Sequence, residues 1–432
     1  MTKLFSFKGG VYPPENKLIS ITKHIGTLPS PKYVVIPIQQ HIGNPANPIV
    51  QVGDMVKAGE IIAEPNGFMS VGVHSSISGK VKEIALHPHP NGKNIQSIVI
   101  ESDGKDEHIS FRSRYKEYFR LPPKELRNVL QTAGIVGLGG ASFPTHVKLT
   151  PKTDFLIDTV ILNGCECEPY LTCDEMLMEQ FSLEIINGLQ VIMYILEADR
   201  GIIAIEEDKP KAIASLTEEL KKIPNIELKL LKRKYPQGAE KQLIYALLKR
   251  VVPSGKLPLD VGVVVNNVAT SFAIYEIIFK GKPLFERVVT ITGNAVENPQ
   301  NFWIKIGTPL SYIIQFVKVK TPIKKVIIGG PMMGLAQHSL DVPVIKSSSG
   351  ILLFSDKKEE KENTCIRCGK CIEVCPINLF PTTIAQYVKV GDWQKIKEYH
   401  PLDCIECGAC AYICPANIPL VQYIKIAKEK YG

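Results

Sequence analysis

The sequence predicts a multi-domain α/β protein built around a central parallel sheet. Three observations carry this. Its 432 residues are enough for about three domains. From about residue 120 to 280, short β-rich runs alternate with amphipathic stretches. A tail dense in cysteine follows a run of charges. With 45% apolar and 22% charged residues, the composition excludes long disorder, collagen and coiled coil. The net charge of +8 tolerates an acidic partner or an anionic membrane surface and gives no reason to expect nucleic acid. No apolar run reaches the roughly 18 residues of a membrane-spanning helix. The start, Met-Thr-Lys-Leu-Phe-Ser-Phe-Lys-Gly-Gly, lacks the apolar core and cleavage site of a signal peptide. The chain is therefore expected on the cytosolic side, where thiols stay reduced.

Strands are expected at Thr159–Leu162, Ile202–Ile205, Ile226–Leu231 and Val261–Val265. Helices are expected at Lys124–Ala133, Asp174–Leu196, Lys209–Lys222, Ala239–Arg250 and Ala269–Phe279. Ligands of such sheets sit beyond the carboxyl ends of the strands, so the residues following each strand matter most. After the first comes Asn163-Gly-Cys165-Glu166-Cys167-Glu168-Pro169-Tyr170, and after the fourth Asn266-Asn267-Val-Ala-Thr270. Amides can bond a flavin ring edge or ribityl hydroxyls, and carboxylates suit ribose hydroxyls. Ahead of the first strand stands Gly137-Leu-Gly139-Gly140-Ala-Ser-Phe143-Pro144-Thr145, with Lys148 close behind. It follows a helix rather than a strand, so it is not the dinucleotide fingerprint, and no Walker lysine is present. Such a loop admits a flat or phosphorylated ligand to the backbone, with Lys148 in reach of a phosphate, although a plain turn has the same composition. Cys165, Cys167 and Cys173 follow no metal spacing and are expected as packed thiols. His87-Pro88-His89 is expected in an exposed loop.

The tail carries eight of the eleven cysteines. Cys365-Ile-Arg-Cys368-Gly-Lys-Cys371-Ile-Glu-Val-Cys375-Pro376 recurs 39 residues later as Cys404-Ile-Glu-Cys407-Gly-Ala-Cys410-Ala-Tyr-Ile-Cys414-Pro415. This is the spacing of the bacterial two-cluster ferredoxin, which holds two [4Fe–4S] cubanes. Three thiolates in a tight loop each take one iron, and the glycine after the second cysteine frees the backbone. The fourth cysteine, expected to open a helix pointing away, ligates the other cluster. Cluster one then takes Cys365, Cys368, Cys371 and Cys414, and cluster two takes Cys404, Cys407, Cys410 and Cys375. Two zinc sites would leave the C-x3-C-P endings unexplained. A helix is expected over about 379–397, with Ile384, Tyr387, Val388 and Trp393 at helical spacing and Trp393 as core. The run Asp356–Asn363 is expected to be a solvated linker.

Three motifs, Gly-Leu-Gly-Gly-Ala-Ser-Phe-Pro-Thr, Asn-Gly-Cys-Glu-Cys-Glu-Pro and Asn-Asn-Val-Ala-Thr, resemble in order those of the flavin-binding, NADH-oxidising subunit of respiratory complex I. With Phe7-Lys-Gly-Gly-Val-Tyr-Pro-Pro-Glu-Asn-Lys17 and the double cysteine run, nearly the whole chain resembles the RnfC family of ion-translocating electron-transport complexes. The resemblance implies FMN against Gly137, Gly139, Gly140, Lys148, Asn163, Glu166, Asn266 and Asn267. It implies NADH near Phe143 and Glu168, and a further pocket segment, Tyr235-Pro-Gln-Gly238-Ala-Glu240, in which Gly238 and Glu240 take part. Cys165 and Ala239 stand where the complex I subunit has acidic residues. Residues 31–100 are similar to a lipoyl-like barrel-sandwich, yet no lysine lies between Ile61 and Gly79, which implies a structural or docking module. Residues about 285–320 resemble a soluble-ligand-binding β-grasp (SLBB-like) unit. Ile327–Gly334 is expected as a buried strand with a tight turn.

The resulting expectation has four parts: a barrel-sandwich region at 1–118, an FMN- and NADH-binding α/β domain at 119–283, the SLBB-like unit at 284–355, and an α-helical double [4Fe–4S] ferredoxin-like domain at 356–432. The resemblance implies an oxidoreductase subunit on the cytoplasmic side of the cell (inner) membrane, peripheral to partner subunits that move the ion. NADH and ferredoxin are its implied redox partners. It has no acid–base dyad, because the chemistry belongs to the cofactors. Two other functions stay open: a soluble flavin and iron–sulfur reductase like the cobalamin reductases, and a non-enzymatic electron-wiring subunit.

Overall fold

Long runs of branched aliphatic residues, buried on both faces, build the central sheet of this computed structural model, which describes residues 4–113, 115–151, 155–356 and 361–431. Its strands are Thr159–Gly164, Arg200–Glu206, Ile226–Leu231 and Val263–Asn267, all parallel and ordered third, second, first, fourth. Ile161 pairs with Ile202 on one side and Val265 on the other. The pleat sends alternate side chains to opposite cores. Val160 and Leu162 pack with Leu189, Ile192 and Phe272, while Ile161 packs with Leu243 and Ile244. Helices Ser182–Leu196 and Val268–Tyr275 therefore cover one face, and Glu240–Leu248 covers the other.

The long helix expected over Asp174–Leu196 is two, Cys173–Gln180 and Ser182–Leu196. They part at Phe181, whose backbone leaves the helical region (φ −136°, ψ 38°) and whose ring packs 5.1 Å from Phe272 and 6.1 Å from Trp303. The helix expected to run to Phe279 ends at Tyr275 and continues as one wider turn over Glu276–Lys280.

Toward the amino end, a four-stranded sheet (Tyr33–Pro37, Met55–Val56, Gly79–Pro88, Asn94–Ser102) faces a three-stranded one (Asn47–Pro48, Ile61–Glu64, Val73–His74) over Val34, Ile36, Ile62, Ile77, Ile98 and Ile100. This is the expected barrel-sandwich. The exposed histidine loop is not found. His87 lies near the end of the long strand and pairs with Glu83 at 3.0 Å, and His89 folds under the hairpin, where Asn91 N donates to its Nδ1 at 3.2 Å.

The third sheet runs in the order Gly26–Thr27, Gln300–Lys305, Glu286–Thr292, Gly350–Phe354, Lys325–Ile328, Leu335–Gln337, crossed by helix Leu310–Val317. Its edge strand comes from far up the chain, a pairing with no local sequence cue. The turn after Ile328 forms as expected.

In the tail the 39-residue repeat is also a repeat of backbone. Short helices Lys370–Glu373 and Ala409–Tyr412 correspond, as do the left-handed residues Arg367 and Glu406, Gly369 and Gly408, and Asn378 and Asn417. The fourth cysteine opens no helix. Cys375 and Cys414 follow the short helices, because Pro376 and Pro415 disfavour helical backbone in the residue before them. The helix expected over 379–397 is broken at Gly391 (φ 72°) into Pro381–Val390 and Trp393–Lys397. Trp393 packs on Ile384, Ile396 and Ile424, as expected. Of the predicted charged linker, Lys357–Glu360 lie outside the described residues.

The amino-terminal segment leaves the barrel. Phe5 bridges Leu231 at the sheet edge, Val11 and Tyr235 exchange backbone hydrogen bonds at 2.8 and 3.0 Å, and Gly10 N donates to Val374 O at 2.8 Å. A Cβ on Gly10 would lie 2.6 Å from Tyr235 O, so Phe7-Lys-Gly-Gly is a strap that must lie flat between the sheet and the tail. Among the described residues no helix is long and apolar enough to cross a membrane.

Gly188 sits where helix Ser182–Leu196 meets Val268–Tyr275; an added Cβ would lie 2.0 Å from Ser271 O. Gly188→Ala is expected to destabilise the protein by about 3 kcal/mol, read as a lower denaturation midpoint with unchanged slope.

Candidate functional site

The first and fourth strands lie side by side, with Asn163 paired to Asn267 at their carboxyl ends, and the crevice expected for a ligand lies beyond those ends. The glycine loop closes over it. Gly137 N donates to Phe143 O at 2.9 Å, Val136 bridges Pro144, and the four-residue helix Thr145–Lys148 follows. Thr270 ties the loop down by accepting from Leu138 N at 2.9 Å. The loop presses on the strand end: a Cβ on Gly139 would lie 3.2 Å from that of Asn267. Gly140 (φ 123°) has nothing within 4 Å of a Cβ and stands at the open rim.

The asparagines orient the crevice. Asn267 Oδ1 caps the next helix, accepting from Ala269 N at 2.8 Å, and its Nδ2 donates to Asp174 Oδ2 at 2.6 Å. Asn163 donates to Gly238 O at 2.8 Å and accepts from Cys165 N at 3.0 Å. Lys148 pairs with Glu240 at 2.6 Å across the mouth.

The two glutamates are engaged within the fold. Glu166 accepts from the Cys173 thiol at 3.2 Å, Asp174 N at 3.0 Å and Glu175 N at 3.2 Å, seating its charge on a helix start. Its carbonyl accepts from Lys17 Nζ. Glu168 accepts from Met332 N at 3.0 Å and Met333 N at 2.8 Å. Burial pushes Glu168, Asp174 and Glu175 up to about 7. Lys209, buried against Glu206, Asp208 and Glu175 at 3.2–3.9 Å, is held above the usual lysine range by those acids despite its burial. Cys165, Cys167 and Cys173 are free, and burial raises all three thiols. Their place as packed thiols is as expected.

Ser142 Oγ, Thr145 Oγ1 and Asn266 Nδ2 are buried with no hydrogen-bond partner. Buried polar atoms are nearly always satisfied, so three such atoms around one glycine loop fit the hydroxyls and phosphate of FMN. Ser142 and Thr145 are additions to the expected residue set; their one sequence signal is that both stand inside the glycine motif.

The barrel-sandwich docks on this loop. Gln131 Nε2 donates to Gly67 O and Ser70 O at 3.0 Å each, His146 Nε2 lies 2.7 Å from Phe68 O, and Ile42 N donates to Ser142 O at 3.4 Å.

The tail cysteines sort by space rather than by sequence. Charge on Cys375 raises the Cys404, Cys407 and Cys410 thiols, and charge on Cys365 and Cys414 raises Cys371. Burial is the larger cause, taking Cys407 up to about 12, so iron is what would hold these sulfurs as thiolates. Cys365, by contrast, is lowered by the Thr382 hydroxyl and the Arg367 amide. Cys368 is exposed. Among the described residues, the metal-ligand side chains that cluster three or more within 4.8 Å of one another are Glu166, Cys173 and Asp174, which include no tail cysteine. Tetrahedral zinc would draw sulfurs to about 3.8 Å from each other. The second set abuts the crevice domain: Tyr235 Oη donates to Cys407 O at 2.6 Å, and Gln242 Nε2 to Pro376 O at 3.1 Å.

Comparison with known proteins agrees with this layout. Residues 5–105 match the RnfC barrel sandwich hybrid domain, 130–276 the Nuo51 FMN-binding domain, 288–336 the SLBB domain and 364–418 the 4Fe-4S dicluster domain. The chain is 46% identical over 431 residues to the C-subunit of the proton-translocating ferredoxin:NAD(+) oxidoreductase complex of Clostridium ljungdahlii, covering 99% of this chain and 94% of that protein. The chain belongs to the RnfC family. Another member of that family, the C-subunit of the Na(+)-translocating ferredoxin:NAD(+) oxidoreductase complex of Acetobacterium woodii, is 45% identical, covering 98% of this chain and 97% of that one. The C-subunit of the ion-translocating oxidoreductase complex of Haemophilus influenzae is 41% identical, covering 99% of this chain and 66% of its own longer length. In structure, the chain is similar to an NAD+-reducing [NiFe]-hydrogenase in the air-oxidized state. The TM-score is 0.51 at 19% identity, over 66% of this chain and 57% of that one, which is a likeness of fold. The fold expected from the RnfC resemblance is thus the one found: parallel sheet, barrel-sandwich, SLBB unit and dicluster tail.

Glu168, Asp174 and Glu175 keep their protons to higher pH in the folded chain than in the unfolded one, so folding takes up protons between about pH 4 and 7. Stability is therefore expected to fall as pH rises through that window. Denaturant midpoints at about pH 5 and about pH 8 check the sign, and Glu168→Gln, which carries no titrating proton, should make the fall shallower.

Proposed function

We propose that this chain is the peripheral electron-transfer subunit of an ion-translocating membrane complex that couples electron exchange between NADH and ferredoxin to ion movement, using FMN and two [4Fe–4S] clusters. The observation that carries this reading is the placement of Cys375 with Cys404, Cys407 and Cys410 beside the crevice, against the Tyr235 hydroxyl. One cluster then lies beside the flavin site, while the other, with exposed Cys368, lies toward partner subunits. When bound, FMN would accept a hydride from the nicotinamide and pass its electrons singly to the clusters.

The chain's own residues hold and shield. Gly137, Gly139 and Gly140 admit the ring, Asn163, Asn266 and Asn267 meet its polar edge and ribityl chain, and Lys148 with Ser142 and Thr145 meets the phosphate. Phe143 offers the nicotinamide a face to stack on, with Gly238 and Glu240 at the rim. Glu166 and Glu168 act from beneath, one seating a helix start and the other tying the strand end to the Met332–Met333 turn. Ion movement then belongs to partner subunits, with this chain on the cytoplasmic face.

The Lys148–Glu240 pair favours a second reading, a wiring subunit without flavin, since it spends the lysine that would meet a phosphate. Anaerobic purification separates the two. About eight irons per chain are expected, with one FMN that NADH bleaches. Zinc, or iron at about half that level, overturns the cluster assignment; clusters without flavin select the wiring subunit. Cys407→Ser should remove the signal of cluster two, leave flavin bleaching intact and stop NADH from reducing cluster one.

A further inference from the structure

Gln237 is fully buried, yet neither its Nε2 nor its Oε1 has a hydrogen-bond partner. A buried carboxamide with both ends unmet costs several kcal/mol, on the order of two lost hydrogen bonds, unless something fills the place. Its position in the chain says what is near. Two residues before it, Tyr235 is hydrogen-bonded to Cys407 O, and five residues after it, Gln242 is hydrogen-bonded to Pro376 O. Both anchors lie on the loops that carry ligands of cluster two. On the other side, Gly238 N lies 3.5 Å from Cys167 Sγ and Gly238 O accepts from Asn163, so the same short segment also touches the crevice. Tyr235 has already spent its hydroxyl on a carbonyl, which leaves the Gln237 carboxamide as an uncommitted donor in this seam.

Cluster sulfurs are acceptors, and the reduced cluster is the more negative. An N–H directed at a sulfur therefore stabilises the reduced form and raises the potential. We propose that Gln237 is a positioning residue for electron transfer, donating its side-chain N–H to a sulfur of cluster two and so holding that cluster's potential up, within reach of electrons from the flavin. The inference rests on the reading above, that cluster two is present; iron content and EPR of the unaltered chain test that reading separately.

The test is a redox titration of the full chain loaded anaerobically, with the two EPR signals assigned through Cys368→Ser and Cys407→Ser. In Gln237→Leu, the reduced-to-oxidised ratio of cluster two at fixed potential should fall about tenfold, which is about 59 mV for a one-electron couple. Cluster one and the flavin should not move. Gln237→Glu, similar in size but without the N–H, should shift cluster two in the same direction. A third measurement needs no variant: with glutamine labelled by nitrogen-15 in its side-chain amide, the reduced cluster-two signal should show coupling to that nitrogen. An unmoved cluster-two potential in both variants, a shift in the flavin instead, or absent coupling in the labelled chain overturns the proposal.

Discussion

The carboxyl ends of Thr159–Gly164 and Val263–Asn267 meet where Asn163 pairs with Asn267, and the elements of the site are arranged about those paired strand ends. The helices that follow both strands pack on one face of the sheet, so the carboxyl ends of these strands stay open unless other elements roof them. The glycine loop roofs one side, pinned by Thr270, and the barrel-sandwich sits on the loop. The turn at Met332–Met333 closes another side through Glu168, and the tail lies beyond it: a Cβ on Gly408 would come within 3.0 Å of Met332 O. A hydride-accepting flavin and one-electron clusters need short separations and exclusion of water, and the layout provides walls from three separate folding units.

Beneath the crevice lies a dense set of buried charges. Glu166, Asp174, Glu175 and Glu206 face Lys17, Lys209 and Arg287, all nearly inaccessible to water. Removing such ions from solvent is costly, and geometry must repay it through hydrogen bonds. Glu166 alone gathers two backbone amides and a thiol. The result is a floor that cannot shift without breaking several charge-assisted bonds at once.

Much of this is legible in the amino-acid order where a local rule applies. The strand at Ile226–Leu231 and the helix beginning near Pro210 follow from period and from proline placement, and the double cysteine run declares its chemistry through spacing alone. Boundaries depart from expectation where tertiary contacts decide them. Phe181 has no helix-breaking character, and only the aromatic rings of Phe272 and Trp303 explain the break there. In sequence Glu168 looks free to hold a ligand, yet its partners are backbone amides, the nearer in sequence 164 residues away, and a backbone amide leaves no mark in a sequence. His89 departs for a related reason: its concealment depends on a hairpin whose other strand begins at Asn94. The unpartnered Ser142, Thr145 and Gln237 stand inside recognisable motifs, but burial without a partner is a property of three dimensions only.

The strap at Phe5–Val11 carries an implication for how the molecule is made. It is synthesised before every surface it touches, among them Leu231, Tyr235 and Val374, the last of which adjoins a cluster ligand. A ribosome delivers those surfaces hundreds of residues later, so the strap's partners exist only once sheet and tail have been made. Once seated, it ties the edge strand of the sheet to the backbone beside Cys375, so a change in either unit is felt by the other through Gly9 and Gly10.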